Sequence, residues 1–269
     1  MNIETRTIRH QGHEFDVTLE DAAFWDRFQG GDWEPETMAV FDHYIGPETL
    51  HLDIGCWIGP TLLYAAGRAR LAVGFEPDPV AFNRLEANVA ANPLLKNVRL
   101  HRCAIAAENG ELKMGSQSEP GDSMSSALFA NQANHWTAPA RRLEDFAGEW
   151  PTDGDCFAKI DIEGGEFTML PSLKDFLVAR RATVFLSLHQ GYFLKPYLGR
   201  GFWPKLFGEL RLFLRILRFV PLLRHYSHIY DEHGRRLSAL GFLHRRNWRR
   251  INTLLLAHRS PMPWPVTSR

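Results

Sequence analysis

Asp53, Gly55 and Gly59 form a D-x-G-x-x-x-G pattern between an apolar segment that predicts a buried strand and one that predicts a helix. Glycine allows a tight turn and lets the backbone approach a ligand closely. The pattern differs from the dinucleotide fingerprint G-x-G-x-x-G, because Trp57 stands at the second glycine, and no Lys follows as in a phosphate-binding loop. The Asp53 carboxylate would repel phosphate and suit a cationic ligand. A strand–helix turn that binds nothing is the alternative.

Glu76 ends the next predicted strand, in the sequence GFEPD, 21 residues after Gly55. An acidic side chain near this spacing accepts hydrogen bonds from ribose hydroxyls. The two strand ends together indicate adenosine without phosphate. S-adenosylmethionine (SAM) fits, because its positive charge lies on a sulfonium and an ammonium group; for Glu76 alone, a solvated strand end is the alternative. The third strand end holds Cys103, Ala104 and Ile105, which either line an adenine ring or belong to the core.

Lys159, Asp161 and Glu163 alternate in the segment KIDIEGGEF, which predicts a strand with a charged exit. Alternate residues of a strand point to one face, so we expect the three side chains on the same side. Charges on a central strand are costly unless they are paired or used. The segment therefore predicts a functional cluster, with a structural Lys–carboxylate network as the alternative.

His189 lies at the end of the fifth predicted strand, in the sequence LSLHQ. If the fourth and fifth strands are neighbours, His189 leaves the sheet beside Asp161. An isolated histidine is more often structural, but a histidine beside a carboxylate at a strand exit is a candidate general base.

Strand and helix segments alternate between residues 50 and 190. This order predicts an α/β fold with a mostly parallel sheet and helices on both faces, in which ligands bind at the carboxyl ends of the strands. Residues 3–20 predict an N-terminal hairpin that turns at Gly12. Residues 97–106 predict one strand, and the polar residues 116–138 predict a loop.

The charge of the chain is balanced overall but divided unevenly along it. The 269 residues include 31 Lys and Arg and 31 Asp and Glu, so net charge does not steer the whole molecule toward nucleic acid. Residues 1–190 carry 16 Lys and Arg against 28 Asp and Glu, whereas residues 191–269 carry 15 against 3. The three cysteines are far apart and form no C-x-x-C, which argues against disulfides or zinc.

No apolar N-terminal segment predicts a signal peptide, and no uninterrupted apolar run reaches the roughly 20 residues that span a bilayer. We therefore expect a cytoplasmic protein. We also expect a single domain, composed of an N-terminal extension (1–46), a SAM-binding core (47–190), a helical insert (191–224) and C-terminal strands (225–269).

The sequence over residues 33–190 resembles the FkbM-type family of class I SAM-dependent methyltransferases. The resemblance is carried by LDIGCWIGPTLL, GFEPDPVAFNRLEANV and KIDIEGGE, preceded by the lead-in GDWEPET. It implies a Rossmann-like sheet of seven strands, SAM as methyl donor, and O-methylation of a hydroxyl on a sugar, a glycan or a secondary metabolite.

The resemblance also implies which residues form the site. The first three strand ends would bind the cofactor through Asp53, Gly55, Cys56, Gly59, Glu76, Pro77, Ala104 and Ile105. Lys159, Asp161 and Glu163 would face the transfer site, with His189 where the family often has a carboxylate. A sugar hydroxyl is a poor nucleophile and needs a general base. We expect His189 or Asp161 to take the proton and Lys159 or Glu163 to orient the acceptor.

A divalent metal is a further option at the same strand ends. Asp161, Glu163 and His189 offer ligands for an ion that would acidify the hydroxyl. No metal-ligand spacing in the sequence demands such an ion.

Residues 203–226 predict a helix with a basic stripe, because Arg211, Arg215 and Arg218 are spaced i, i+4 and i+7 among aliphatic residues. Three functions are open for this insert. It forms a lid over the substrate site, where arginines would suit an acidic acceptor. It lies on an anionic membrane surface, which would make the protein peripheral at the inner membrane face. Or it is a core or homodimer helix with solvated arginines.

Two other classes of protein fit parts of the sequence. A non-catalytic SAM-binding module would keep the cofactor motif, but it would not need the charges of KIDIE. A nucleic-acid methyltransferase would explain the basic C-terminal third. We expect no nucleic-acid partner, because no N-P-P-Y-like motif is present and the basic residues alternate with aliphatic ones rather than with aromatic ones.

Overall fold

The computed structural model describes residues 4–116, 119–130, 133–199 and 201–259. The strands are β1 (Thr5–His10), β2 (His13–Thr18), β3 (Thr49–Ile54), β4 (Leu71–Phe75), β5 (Val98–His101), β6 (Ala104–Ile105), β7 (Gly110–Gly115), β8 (His135–Arg141), β9 (Asp155–Ile160), β10 (Thr183–Ser187), β11 (His228–Asp231) and β12 (Thr253–Ala257). The helices are α1 (Ala22–Gly30), α2 (Pro35–Tyr44), α3 (Pro60–Ala66), α4 (Pro79–Ala90), α5 (Glu166–Met169), α6 (Lys174–Ala179), α7 (Gln190–Leu194), α8 (Phe202–Leu217), α9 (Val220–Leu223) and α10 (Arg245–Trp248).

A seven-stranded sheet in the order β5-β4-β3-β9-β10-β12-β11 forms the centre of the fold. The strands β5, β4, β3, β9 and β10 pair in parallel, and β12 runs antiparallel to both of its neighbours. Hydrophobic side chains pack on the two faces of this sheet in separate clusters. The predicted α/β fold with a seven-stranded, mostly parallel sheet is confirmed.

The N-terminal hairpin is also confirmed, since β1 and β2 pair antiparallel around Gly12. The single strand predicted over residues 97–106 is wrong. The backbone turns where the Cys103 N–H donates to the His101 carbonyl, so β5 ends there. The chain then forms β6, which joins β7 and β8 in a second sheet of three strands.

The loop predicted over residues 116–138 is shorter than expected, because β8 begins within it and pairs antiparallel with β7. Only Ala138 and Ala140 of β8 are buried, so the apolar alternation of this strand is carried by small residues and is weak. Residues 117–118 and 131–132 of the predicted loop lie outside the described residues. Among the described helices, none is long and apolar enough to cross a bilayer.

Candidate active site

The site lies where β3, β9 and β10 end side by side at one edge of the sheet. The Asp161 backbone N–H donates to the carbonyl of Ile54 (2.9 Å), which continues the pairing of β9 with β3. His189 follows β10, and its Nε2 lies 3.6 Å from Asp161 Oδ1 and 3.3 Å from Glu163 Oε2. The strand order therefore brings His189 beside Asp161, as the sequence predicts.

Glu163 reaches this cluster by a different route from the one predicted. β9 ends at Ile160, so Glu163 does not continue a strand. Its backbone adopts a left-handed conformation (φ 53°), and its carbonyl accepts a hydrogen bond from Ser126 Oγ (2.7 Å). Such a conformation is unfavourable for a residue other than glycine, and it turns the carboxylate toward His189.

His189 is held between carboxylates on both nitrogens of its ring. Its Nδ1–H donates to Oε1 of the fully buried Glu166 (2.7 Å), while Nε2 faces Asp161 and Glu163. Burial by itself would lower the pKa of His189, but the hydrogen bond to Glu166 and the three carboxylates outweigh it and raise the pKa to about 9. The imidazole is therefore protonated near neutral pH, so it is poorly suited to accept a proton.

The carboxyl group of Glu163 is shifted in the direction that suits a base. Burial raises the pKa of Glu163 to about 8. The positive charge of His189 lowers this pKa, but the negative charges of Asp161 and Glu166 raise it again. A carboxylate whose pKa lies near the working pH exchanges protons more readily than an ordinary carboxylate.

Lys159 and Asp53 form a buried ion pair. Lys159 Nζ lies 3.3 Å from Asp53 Oδ1 and 3.5 Å from Asp161 Oδ2, and it donates to the carbonyl of Gly55 (3.2 Å). Burial alone would lower the pKa of Lys159, but Asp53 and Asp161 raise it above its ordinary value. Thr61 Oγ1 also donates to Asp53 (2.6 Å), and Asp53 is not among the residues that line the three cavities of this region. Its carboxylate is therefore ion-paired and hydrogen-bonded within the protein, and its predicted contact with a cationic ligand stays a prediction.

The two glycines of the turn are required by protein packing. A Cβ atom on Gly55 (φ 84°) would stand 1.8 Å from the carbonyl oxygen of Asp161, and one on Gly59 (φ 94°) would stand 2.6 Å from Leu85. The glycines therefore permit close contacts between elements, and Gly55 also lines two of the cavities, so its predicted close contact with a ligand stays a prediction. Gly59 and the buried Cys56 lie outside the first cavity described next.

A first cavity of about 240 Å³ runs along the ends of β3, β4 and β9 and past β6. Glu76 lines it and is buried, and its two carboxylate oxygens accept the backbone N–H groups of Trp57 (2.9 Å) and Asp78 (2.8 Å). Burial raises the pKa of Glu76 to about 7, although these two hydrogen bonds lower it. Pro77, Cys103, Ala104 and Ile105 line the same cavity, and Cys103, Ala104 and Ile105 are also buried, so both alternatives given for these three residues stay open.

A second cavity of about 700 Å³ meets the first. Its walls include the aromatic residues Phe24 and Trp33, the polar residues Asn252 and Thr253, and the charged cluster around His189. The residues that line both cavities are Gly55, Trp57, Ser123, Asp161 and Glu163. Asp161 and Glu163 therefore stand where the contents of the two cavities would touch.

A third cavity of about 580 Å³ is basic and aromatic. Lys195, Arg211 and Arg215 line it together with Tyr192, and no carboxylate is among its described lining residues. It adjoins the cluster, because the Tyr192 ring stacks on His189 with ring centroids 5.7 Å apart.

Sequence reasoning missed Glu166 as the partner of His189 and Asp78 as the anchor of a loop. Asp78 Oδ2 accepts hydrogen bonds from the Gly121 N–H (2.7 Å) and from Ser125 Oγ (2.8 Å), and Ser125 lines the first cavity. Trp57 holds the same loop, since its Nε1–H donates to the carbonyl of Gly121 (2.8 Å). One signal in the sequence indicated this contact, the acidic Asp78 shortly after β4. The loop that contains Gly121 and Ser125 has no periodic pattern that would predict its partner.

Asp161, Glu163 and His189 each place one potential ligand atom within 4.8 Å of the others. The set is chemically suited to a divalent cation. The same arrangement is equally explained without a metal, because protonated His189 carries a positive charge that balances Asp161 and Glu163. Measuring turnover without metal and with added metal distinguishes a metal-bound cluster from a metal-free cluster with protonated His189.

Comparison with known proteins identifies the family of the chain. The family model described as Methyltransferase FkbM domain matches residues 53–221, and the chain belongs to this methyltransferase family. No curated protein sequence matches the chain.

The chain is also similar to solved structures at low identity. The methyltransferase FkbM from Methylobacillus flagellatus KT is 16% identical with a TM-score of 0.38, and the match covers 61% of this chain and 42% of that one. A SAM-dependent methyltransferase from Agrobacterium tumefaciens is 12% identical with a TM-score of 0.34, covering 68% and 53%. The 23S rRNA methyltransferase ErmE is 14% identical with a TM-score of 0.35, covering 84% and 68%. The chain thus spans less than half the length of the FkbM structure it matches.

Proposed function

We propose that this methyltransferase is SAM-dependent and transfers a methyl group to a hydroxyl of a sugar, glycan or secondary metabolite. The observation that carries the proposal is the meeting of two cavities at Asp161 and Glu163. One cavity suits an adenosyl cofactor, and the other suits a polyhydroxylated acceptor with apolar faces, because it combines aromatic walls with hydrogen-bonding groups.

The lining of the first cavity fits SAM. Its apolar end at Ala104 and Ile105 suits adenine, the buried Glu76 suits the ribose hydroxyls, and Asp161 and Glu163 suit positive charge. These groups follow one another across neighbouring strands. Among the described residues of this lining, none is Lys or Arg, which disfavours a dinucleotide with its phosphates. When bound, SAM supplies a methyl group activated by the sulfonium.

The charged cluster supports a division of labour among its residues. We assign the general base to Glu163, because it lines both cavities and burial raises its pKa to about 8. His189 would act as a positioning cation, since its pKa near 9 keeps it protonated. Lys159 holds Asp161 and the Gly55 carbonyl in place. This assignment replaces the expectation that His189 or Asp161 takes the proton.

The third cavity favours an acceptor with an anionic group. Arg211 and Arg215 line it beside Lys195, and guanidinium groups bind phosphate or carboxylate well. Tyr192 connects this cavity to His189, so an acidic group held there would belong to a molecule close to the transfer site.

Calorimetric titration with SAM and, separately, with NAD tests the cofactor. We expect micromolar binding of SAM, no binding of NAD, and at least about tenfold weaker SAM binding in Glu76→Ala. The exposed Glu111→Ala serves as the control. If SAM fails to bind the folded protein, the proposed function is wrong.

Turnover with radiolabelled SAM and a panel of neutral and acidic hydroxylated acceptors tests the reaction. We expect Glu163→Gln and His189→Ala to lose turnover while they keep SAM affinity. Full activity of both variants would remove the cluster from the mechanism. Methylation of RNA with salt-dependent retention, and none of the hydroxylated acceptors, would assign the protein to nucleic acid instead.

We expect the reaction to proceed without a divalent metal, because protonated His189 already supplies positive charge beside Asp161 and Glu163. Enzyme dialysed against EDTA should keep its turnover, and added Mg²⁺ or Mn²⁺ should change it by less than about twofold. Loss of turnover in EDTA with recovery on adding metal would assign the three residues to a metal site.

A further inference from the structure

The helix α8 is apolar on two opposite faces. One face packs into the core through Leu212 and Ile216. The other, here called the docking face, is exposed to solvent, and its side chains are between 37% and 75% accessible. The docking face consists of Phe202, Trp203, Leu206, Phe207, Leu210, Leu214 and Leu217.

The docking face is one continuous stripe. With about 100° of rotation per residue, its seven side chains fall within an arc of about 140° along the whole length of the helix. Single exposed leucines are common on soluble proteins, but a contiguous stripe of this size marks an interaction surface. The aromatic members lie at the N-terminal end, with Trp203 the most exposed.

Arginines border the docking face. Arg211 is exposed beside the stripe, and its guanidinium lies over the Phe207 ring (5.7 Å), while Arg218 is exposed just beyond the C-terminal end of α8. The one carboxylate of α8, Glu209, is buried and paired with Arg245 (2.7 Å) and Arg249 (3.4 Å). The exposed side of the helix is therefore apolar and cationic.

We propose that the docking face binds the surface of an anionic lipid bilayer, with α8 lying in the plane of the interface. An amphipathic helix with Trp, Phe and Leu on one side and arginines at its border has the chemistry of an interfacial membrane helix. The surrounding chain supports this, since residues 191–269 carry 15 Lys and Arg against 3 Asp and Glu. The proposal does not depend on the reaction catalysed.

A second copy of the chain fits the docking face less well. Isologous pairing of two α8 helices in antiparallel orientation brings the same border of each helix together. Arg211 of one copy would then lie opposite Arg211 of the other, and Glu209 is already paired inside its own subunit. An anionic surface satisfies both the apolar stripe and its cationic border.

Vesicle flotation of the full chain tests the proposal. We expect binding to vesicles that mix phosphatidylcholine with phosphatidylglycerol and little binding to phosphatidylcholine alone. The double variant Trp203→Ser/Phe207→Ser should partition at least about tenfold more weakly, because it exposes less apolar area for burial. Arg211→Gln should weaken binding by about fivefold and reduce its salt dependence.

Leu94→Ser is the matched control, because Leu94 is also a highly exposed apolar residue but lies outside α8. It should bind the anionic vesicles like the parent. Circular dichroism and SAM titration of every variant separate loss of the docking face from loss of the fold.

Three results would overturn the proposal. The first is failure of the folded parent to bind anionic vesicles. The second is undiminished binding by the double variant. The third is a parent dimer in solution that Trp203→Ser/Phe207→Ser converts to a monomer, without vesicle binding by either form; this would assign the docking face to a second copy.

Discussion

His189 determines the charge balance of the candidate site. Three carboxylates face its ring, and they raise its pKa to about 9 although burial opposes this. The imidazole therefore keeps its proton through neutral pH, and Glu163, whose pKa is raised to about 8, is the group of this pair that loses its proton first as the pH rises. The left-handed backbone of Glu163 is the local cost of placing that carboxylate at the junction of the two cavities.

The pH dependence of the rate should report these two groups. Glu163 works as a base only when it is deprotonated, so kcat/KM should rise with pH through about 8. It should fall again through about 9, as His189 loses its charge. Glu163→Gln should abolish the rising limb and lower kcat by about 100-fold. An unchanged rising limb in this variant would assign the base elsewhere, and Glu111→Gln is the exposed control.

Removal of Lys159 should destabilise the whole protein. Lys159→Met leaves the buried carboxylate of Asp53 without its cation, which costs about 3–5 kcal/mol of unfolding free energy. Urea denaturation at neutral pH measures the change, and Lys205→Met, at an exposed lysine near the start of α8, should leave stability nearly unchanged. A loss of less than about 1 kcal/mol would mean that the Lys159–Asp53 pair contributes little.

The strand ends illustrate how much of the site the sequence could predict. Alternating strands and helices correctly indicated a parallel sheet, and the neighbouring positions of β9 and β10 placed His189 beside Asp161. Strand periodicity failed at Glu163, because β9 stops at Ile160 and the glycines that follow allow a reversal. The partnership of Glu166 with His189 joins residues 23 apart and depends on tertiary packing, which periodicity does not report.

The turn between β3 and α3 depends on the close approach of β9. Gly55→Ala would place a methyl group on the Asp161 carbonyl and force a left-handed backbone on alanine. We expect a loss of about 3 kcal/mol or more, together with displacement of Asp161 and loss of turnover. Gly148→Ala, where nothing lies within 4 Å of the new methyl group, is the matched control. Equal melting temperatures of the two variants would contradict this packing.

The stability of the whole molecule should depend on pH through His189. The pKa of His189 is raised from about 6.5 in the unfolded chain to about 9 in the folded protein. Its contribution to the free energy of unfolding is therefore complete below about pH 6.5 and is lost as the pH rises through about 9. Urea denaturation at pH 6.5 and pH 9 should show the parent losing stability over this window. His189→Gln should lose less over the same window. Identical pH profiles would mean that the folded and unfolded states bind the imidazole proton equally.

The position of β12 between β10 and β11 has a consequence for biosynthesis. The lining of the first cavity is complete by Met169, whereas the second cavity needs Asn252 and Thr253 at the start of β12. β11 emerges from the ribosome before β12, the strand to which it pairs in the sheet. A nascent chain can thus shape the proposed cofactor cavity well before the proposed acceptor cavity, and we expect translation halted at residue 224 to yield a protein that binds SAM without catalytic turnover.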